Sequence, residues 1–323
     1  MSTEIGVFPS KAQSLIELDR RSLAYKRMTT KVLSYTLNSL VSKLIESGFV
    51  WTLPVILSKS TDPLWPDPGA SIEKRIEAEI YGHQVRMTTS MIIHKMVFCS
   101  LLHPKLFIVS PNVRIEKRER QKTGWHAYEF TQLDFEIQNG DFETVKKMVE
   151  KLLQDLIHDV RRDLYDDTKN NGLLKHIELP KKGFPIFDAQ ELQRSHGQYW
   201  EDEIIRSIKT PVWVRNIPRE FYDFEDTETG KWDNYDLFVP KYGEILSGAK
   251  REWEYEKIIR KMKRDGVNVD LYKELLYLAK EGKLAPSAGA GIGIERLVTW
   301  LCDAKNIERV QPFPKIPGVV LDL

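Results

Sequence analysis

The sequence predicts an α+β fold built on an antiparallel sheet flanked by helices. Three observations carry this. "LFIVSPNVRIE" (106–116) and "EFTQLDFEIQ" (129–138) each alternate apolar and polar residues, and a charged turn joins them, as in a long antiparallel hairpin. "DFETVKKMVEKLLQDLIHDVRRDLY" (141–165) repeats its apolar residues at three- and four-residue steps, the pattern of an amphipathic helix with Asp141 as its cap. Strands and helices then mix without the strict strand–helix–strand rhythm of a doubly wound sheet.

The remaining elements follow along the chain. Residues 12–47 carry helical periodicity through Leu15, Leu18, Leu23, Leu33, Leu37 and Leu44, with Gly48 as the stop. "FVWTLPVIL" (49–57) reads as a strand broken by Pro54, which suits an edge or an interface. "STDPLWPDPG" (60–69) is a loop, and residues 89–102 read as helix. Residues 170–235 look irregular. "YDLFVPKYGEILSG" (235–248) reads as a strand pair around "PKYG", followed by helices at 250–264 and 268–281.

Composition bounds the function. The 323 residues hold 48 Lys+Arg against 47 Asp+Glu, a net charge of +1, and are 41% hydrophobic, enough for one large core. This balance argues against a general nucleic-acid coat, which needs a strongly basic surface. "RIEKRERQK" (114–122) is basic but short, and alone it reads as a solvated turn. No segment approaches the ~18–20 apolar residues of a membrane helix. The opening "MSTEIGVFPSKAQSLIELDRR" has no signal or transit character. Cys99 and Cys302 lie far apart in apolar runs, which suits buried thiols. A soluble, cytoplasmic protein without membrane contact is expected.

"SAGAGIGIERLVTWL" (287–301) is the most unusual stretch. A dinucleotide fingerprint needs GxGxxG near the start of a strand–helix–strand unit. Here Gly289, Gly291 and Gly293 are followed by Ile294 in the third glycine's place, close to the carboxyl end, so that reading fails. Glycine at every second position suits a strand with one face pressed against something flat. Arg296, in the next helical turn, would then either lie over a flat ligand or sit on the surface of a tight strand–helix junction. The motif alone leaves both open.

Its companions narrow the choice. "VRIE" (113–116), "HAYEFTQLDFE" (126–136) and GxGxGxxR (289–296) together resemble motifs 2 and 3 of class II aminoacyl-tRNA synthetases, and Pro54 sits where that class keeps its motif 1 proline. The resemblance runs from about residue 15 to 315. "EFTQLD" is similar to the aspartyl-tRNA synthetase motif 2 strand, and "YDLFVPKYGEILSGAKRE" (235–252) to the matching asparaginyl segment. "TTSMIIHK" (88–95) falls where both have a Ser-Pro-Gln-Leu-Tyr-Lys type segment.

The resemblance implies ATP and Mg²⁺ as cofactors. Arg114 would hold the α-phosphate, Glu116 the adenine amino group and His126 the γ-phosphate, while Phe130 and Arg296 would sandwich adenine over the Gly293 floor. Asp236 and Glu244 would carry Mg²⁺. Lys95 and Arg251 match the two cations that hold the free carboxylate of aspartate, a role the guanidinium fork suits. Ser90 and Asp134 would face the substrate ammonium, with Gly248 beside them, and Asp134 is a candidate base; Arg114 and Arg296 would stabilise the developing charge. A homodimer is expected of the class.

Departures from the pattern shape the expected function. The chain is expected to be one catalytic domain over 1–323, with no OB-fold anticodon-binding domain before it, so stable tRNA binding is not expected. Ile92 stands where the family keeps a glutamine for the substrate amino group, and Trp125 replaces the arginine before His126. Turning aspartate round in the Lys95/Arg251 clamp would aim its β-carboxylate at ATP. The chain thereby resembles archaeal ammonia-dependent asparagine synthetases: aspartate, ATP and ammonia giving asparagine, AMP and pyrophosphate through β-aspartyl-AMP. A truncated synthetase-like ligase acting on a tRNA or protein acceptor is the first alternative, and a non-catalytic regulatory paralogue the second.

Overall fold

In a computed structural model, residues 13–64, 72–164 and 172–322 are described. Part of the 60–69 loop, and Tyr165 at the end of the third helical stretch, lie outside them. Eight strands form one sheet: β1 (Val50–Thr52), β2 (Lys105–Val113), β3 (Glu129–Gln138), β4 (Ile186–Asp188), β5 (Val212–Arg215), β6 (Asn234–Val239), β7 (Gly243–Lys250) and β8 (Ser287–Gly293). Their spatial order is β1-β2-β3-β8-β7-β6-β5-β4. The six central strands are antiparallel, and only the edge strands β1 and β4 pair in parallel. The α+β expectation therefore holds.

Helix α1 (Arg20–Glu46) starts later than its periodicity suggested, because Asp19 caps it by accepting a hydrogen bond from Ser22 N at 2.7 Å. It ends before Gly48, whose φ of +81° favours glycine. Helix α3 (Phe142–Asp163) begins where expected, with Asp141 accepting from Thr144 N at 2.8 Å. Its stripe of Val145, Val149, Leu152, Leu156 and Val160 packs on Leu133, Phe135, Ala290 and Leu246 from the sheet. Helix α2 (Ile92–Leu101) covers part of the opposite face, where Met91 and Cys99 meet Leu106 and Ile108. No described helix is long and apolar enough to cross a membrane.

Residues 170–235 are more ordered than their sequence suggests. Among the described residues there, β4, β5 and helices Ala189–His196 and Trp200–Ser207 form. β5 is only four residues, and Val212, Trp213 and Val214 are all buried, so it lacks the alternation that marks a half-exposed strand.

Candidate functional site

Strand register builds the site. Asp236 pairs with Ser247, Ser247 with Gly291, and Gly291 with Asp134, so one row crosses four strands on one face. A parallel row sets Ala249, Gly289 and Glu136 side by side. Apolar neighbours one residue along, Ala290, Leu246 and Phe135, turn to the core beneath α3. The glycines of β8 thus form a trough between two polar banks.

What presses on that trough comes from the protein itself. A Cβ on Gly289 would lie 2.2 Å from both the Glu136 carboxylate and Phe135 O, and one on Gly291 would lie 2.8 Å from Gln132 Nε2. Gly293 differs, since its nearest neighbour would be 3.8 Å away, and it opens onto a cavity. Gly248 has another reason: its Cβ would strike Tyr235 and Gly289 O, both at 2.5 Å, on the core side.

A bulge in the β6–β7 ladder places Glu244. Leu237 pairs with Leu246, but Phe238 pairs with Glu244, skipping Ile245. Three residues from Ser247, Glu244 would otherwise face the core; the extra residue returns it to the face of Ser247 and Asp236.

The row opens into two adjoining cavities. One is lined by Arg114, Glu116, His126, Phe130, Glu244, Gly293 and Arg296 among others. The second is lined by Ser90, Lys95, Asp134, Gly248 and Arg251, and also by Ile92, Arg219, Glu220 and Asp223. Arg114, Gln132, Glu244 and Gly291 line both. Every residue expected to touch ATP, metal or amino acid lines one cavity or the other except Asp236, which is bonded to Arg219 of the second cavity's lining.

In the first cavity the Arg114 guanidinium lies 5.2 Å from the centre of the Phe130 ring and donates to Thr89 O. Arg296 is held by Glu244 O at 3.0 Å and Trp125 O at 3.4 Å. His126 Nε2 sits 2.9 Å from Arg120 Nη1, which can only donate, so Nε2 accepts and Nδ1–H donates to Thr123 Oγ1 at 2.6 Å. Burial, then Arg296, Arg120 and Arg114, lower its pKa to about 3. Glu295 accepts from Thr131 N with both oxygens, and burial raises its pKa to about 7.

In the second cavity Lys95 Nζ contacts Asp134 Oδ1 at 2.8 Å, Ala290 O at 3.2 Å and Glu136 at 3.7 Å. Arg251 contacts Glu136 at 3.1 Å, Asp223 at 2.9 Å and Gly289 O at 3.2 Å. Burial alone would lower the Arg251 pKa, but Glu136 and Asp223 outweigh it and hold it above its ordinary value. Both expected clamp cations are therefore already engaged by protein carboxylates, and a ligand would add to a paired network.

Two hard oxygen donors, Asp236 and Glu244, sit on neighbouring strands, and Asp236 Oδ1 is buried without a hydrogen bond. That orphan atom and the half-exposed Glu244 carboxylate fit a cation of the Mg²⁺ type, which commonly takes one or two protein carboxylates and completes its shell with phosphate and water. No group of three or more His, Cys, Asp or Glu suited to a metal occurs among the described residues. Burial raises the Asp236 pKa to about 7 even with Arg219 against it.

Gln132, Arg219, Glu220 and Asp223 were not singled out from the sequence. Gln132 shares the alternation of β3 with Asp134 and Glu136, a signal that was available. The other three lie in irregular chain, and only tertiary contacts bring them in. Asn234 fixes that segment by accepting from Ile217 N and donating to Ile217 O. Cys99 and Cys302 are buried free thiols with pKa values raised by burial to about 12, as their apolar runs suggested.

Comparison with known proteins agrees with this architecture. Residues 16–317 match the model of tRNA synthetases class II (D, K and N). The asparagine–tRNA ligase of Mycoplasma mobile is 30% identical over 303 residues, covering 84% of this chain and 66% of that protein. That of Microcystis aeruginosa is 27% identical with the same coverage. Asparaginyl-tRNA synthetase of Pyrococcus horikoshii, solved with asparaginyl-adenylate, superposes with a TM-score of 0.79 at 23% identity over 92% of this chain and 70% of that one. The Entamoeba histolytica enzyme also gives 0.79, at 20% identity over 96% and 72%. The chain spans just under two thirds of these curated relatives' length. They bear tRNA ligase names, and the finer resemblance to asparagine synthetases is not among what these matches show.

Proposed function

Since the chain belongs to the class II tRNA synthetases of the D, K and N type, we propose that it is an AMP-forming ligase that adenylates an amino acid of the aspartate or asparagine class. The observation that carries this is the junction of the two cavities, where Arg114, Gln132, Glu244 and Gly291 line both. An adenylating site needs a nucleotide chamber open to an amino-acid chamber at one point, where a carboxylate oxygen attacks the α-phosphorus and pyrophosphate leaves.

ATP would lie with adenine between Phe130 and Arg296, its amino group at Glu116, its α-phosphate at Arg114 and its γ-phosphate towards His126. His126 is neutral and its one N–H is bonded to Thr123, so it would have to release that bond to donate to the γ-phosphate. Asp236 and Glu244 would hold Mg²⁺, which would spread the charge of the leaving pyrophosphate. The amino acid would sit over Gly291 and Gly248, its side chain near Lys95 and Arg251 and its ammonium near Asp134 and Ser90. Residues 16–317 form the catalytic unit in this reading, working as a homodimer.

The relatives' names favour asparagine as substrate and tRNA as acceptor. Specific features of the pocket favour a second reading, in which aspartate is activated at its β-carboxylate and ammonia displaces AMP to give asparagine. Ile92 is 4% exposed and lines the amino-acid cavity with a side chain unable to hold an ammonium. Asp62, Glu220 and Asp223 line the same cavity, and three carboxylates there favour a small cation. Burial, then Asp62 and Asp223, hold the Glu220 pKa well above its usual range, against the opposing pull of Arg219.

The deciding experiment is ATP–pyrophosphate exchange with aspartate and with asparagine, followed by product analysis with ammonium or tRNA. Exchange with asparagine and tRNA charging would support the first acceptor. Asparagine and AMP formed from aspartate only with ammonium would support the second. No exchange with either amino acid would overturn both.

A further inference from the structure

The Asp236 and Glu244 pair already has a cation beside it. Arg219 Nη2 donates to Asp236 Oδ2, and Nη1 donates to Ser247 Oγ at 2.5 Å. Arg219 is held there by chain geometry: Asn234 grips Ile217, and Asn216, in the left-handed region with φ of +64°, accepts from Trp232 N. Asp236 is 3% exposed and keeps Oδ1 unpaired. A guanidinium keeps its proton at any ordinary pH, so a divalent ion approaching Asp236 meets a fixed like charge at contact distance.

Resting on the ligase reading for its purpose, we propose that Arg219 is a built-in competitor of the divalent cation. It holds Asp236 while the cavity lacks nucleotide and turns to the phosphates when they arrive. Guanidinium groups bind phosphate oxygens bidentately, so the exchange replaces one charged partner by another. Asp236 then offers both oxygens to the ion that accompanies the nucleotide. The metal site is complete only with nucleotide present, and Arg219 is a positioning residue for it.

The test uses Mn²⁺ as probe, with free ion followed by electron paramagnetic resonance, on the full chain without nucleotide. Wild type is expected to show no Asp236-dependent Mn²⁺ binding. Arg219→Met is expected to gain a site at least about tenfold tighter, which adding Asp236→Asn removes. Arg219→Lys keeps the charge and is expected to stay without the site. Wild-type Mn²⁺ binding as tight as in Arg219→Met would overturn the proposal, as would a folded Arg219→Met that binds none. Should the methionine variant not fold, wild type compared with Asp236→Asn decides: negligible binding by both supports the competitor, and binding lost only in Asp236→Asn overturns it. No step needs ATP turnover, so failure of the ligase reading shows separately, as absence of pyrophosphate exchange.

Discussion

Lys95 Nζ lies 2.8 Å from Asp134 Oδ1, and both side chains are only 2% exposed. Removing one partner leaves the other charged and buried, which costs roughly 3–5 kcal/mol. Lys95→Met is therefore expected to lower stability by about that amount, and Lys95→Met with Asp134→Asn to recover most of it. Denaturant melts of the three proteins check this. Neither variant is expected to catalyse pyrophosphate exchange, so recovered stability without recovered activity separates the two roles.

Phe130 lines the first cavity beside Arg114 and is only partly buried. Phe130→Leu is expected to leave the melting temperature within a few degrees while raising the KM for ATP roughly tenfold, by loss of ring stacking. Steady-state exchange at varied ATP measures it. An unchanged KM would remove Phe130 from the adenine site.

The β8 glycines should differ sharply. Gly289→Ala forces a methyl to 2.2 Å from the Phe135 carbonyl, which cannot yield without breaking the β3–β8 ladder. A loss above about 3 kcal/mol is expected. Gly293→Ala meets nothing closer than 3.8 Å and is expected to melt like the wild type. Calorimetry on both variants checks the contrast.

His126 and Glu295 oppose one another in acid. The folded pKa of His126 is about 3, below the ordinary 6.5, so the unfolded chain binds the extra proton first and stability falls as pH drops from 6.5 towards 3. The Glu295 value is raised from 4.5 to about 7, so its contribution is full below pH 4.5 and is lost as pH rises through 7. His126→Gln is expected to flatten the acid limb of a stability–pH curve, and Glu295→Gln the neutral limb. Denaturant midpoints from pH 4 to 8 read both slopes.

Trp51 is 54% exposed, Leu53 82% and Ile56 50%, on and beside an edge strand. Such a patch is expected to be covered by a second copy of the chain. Leu53→Asp should halve the mass measured by light scattering; an unchanged mass would rule this patch out of the contact.

The regular half of this architecture was legible in the chain. Strands β2 and β3 alternate, α3 keeps its 3.6-residue stripe, and the β8 glycines announce a strand without side chains on one face. Of the first cavity's lining, Phe130 and Gly293 lie on those elements, whereas Arg114, Glu116, His126 and Arg296 were legible only through the motif resemblance. The wall formed by Arg219, Glu220 and Asp223 was not. They follow a strand too short and too buried to alternate, and they reach the site only because Asn234, a neighbour in space, anchors Ile217. Nor could the sequence show that Lys95 and Arg251 would already be neutralised. Their partners Asp134, Glu136 and Asp223 come from strand β3 and from irregular chain, and meet them only in the folded molecule.

The position of β8 bears on how the molecule is made. It lies at the middle of the sheet between β3 and β7, yet it is the latest in sequence of the eight sheet strands, and Ser287 bonds to Glu136 from 151 residues away. Until it arrives, the hairpin of β2 and β3 and the pair of β6 and β7 are two half-sheets, each with an open edge. Such distant pairing slows folding, and the waiting edges are the places where a nascent chain is most exposed to sticking. Assembly of the trough thus waits on the strand that joins the two halves.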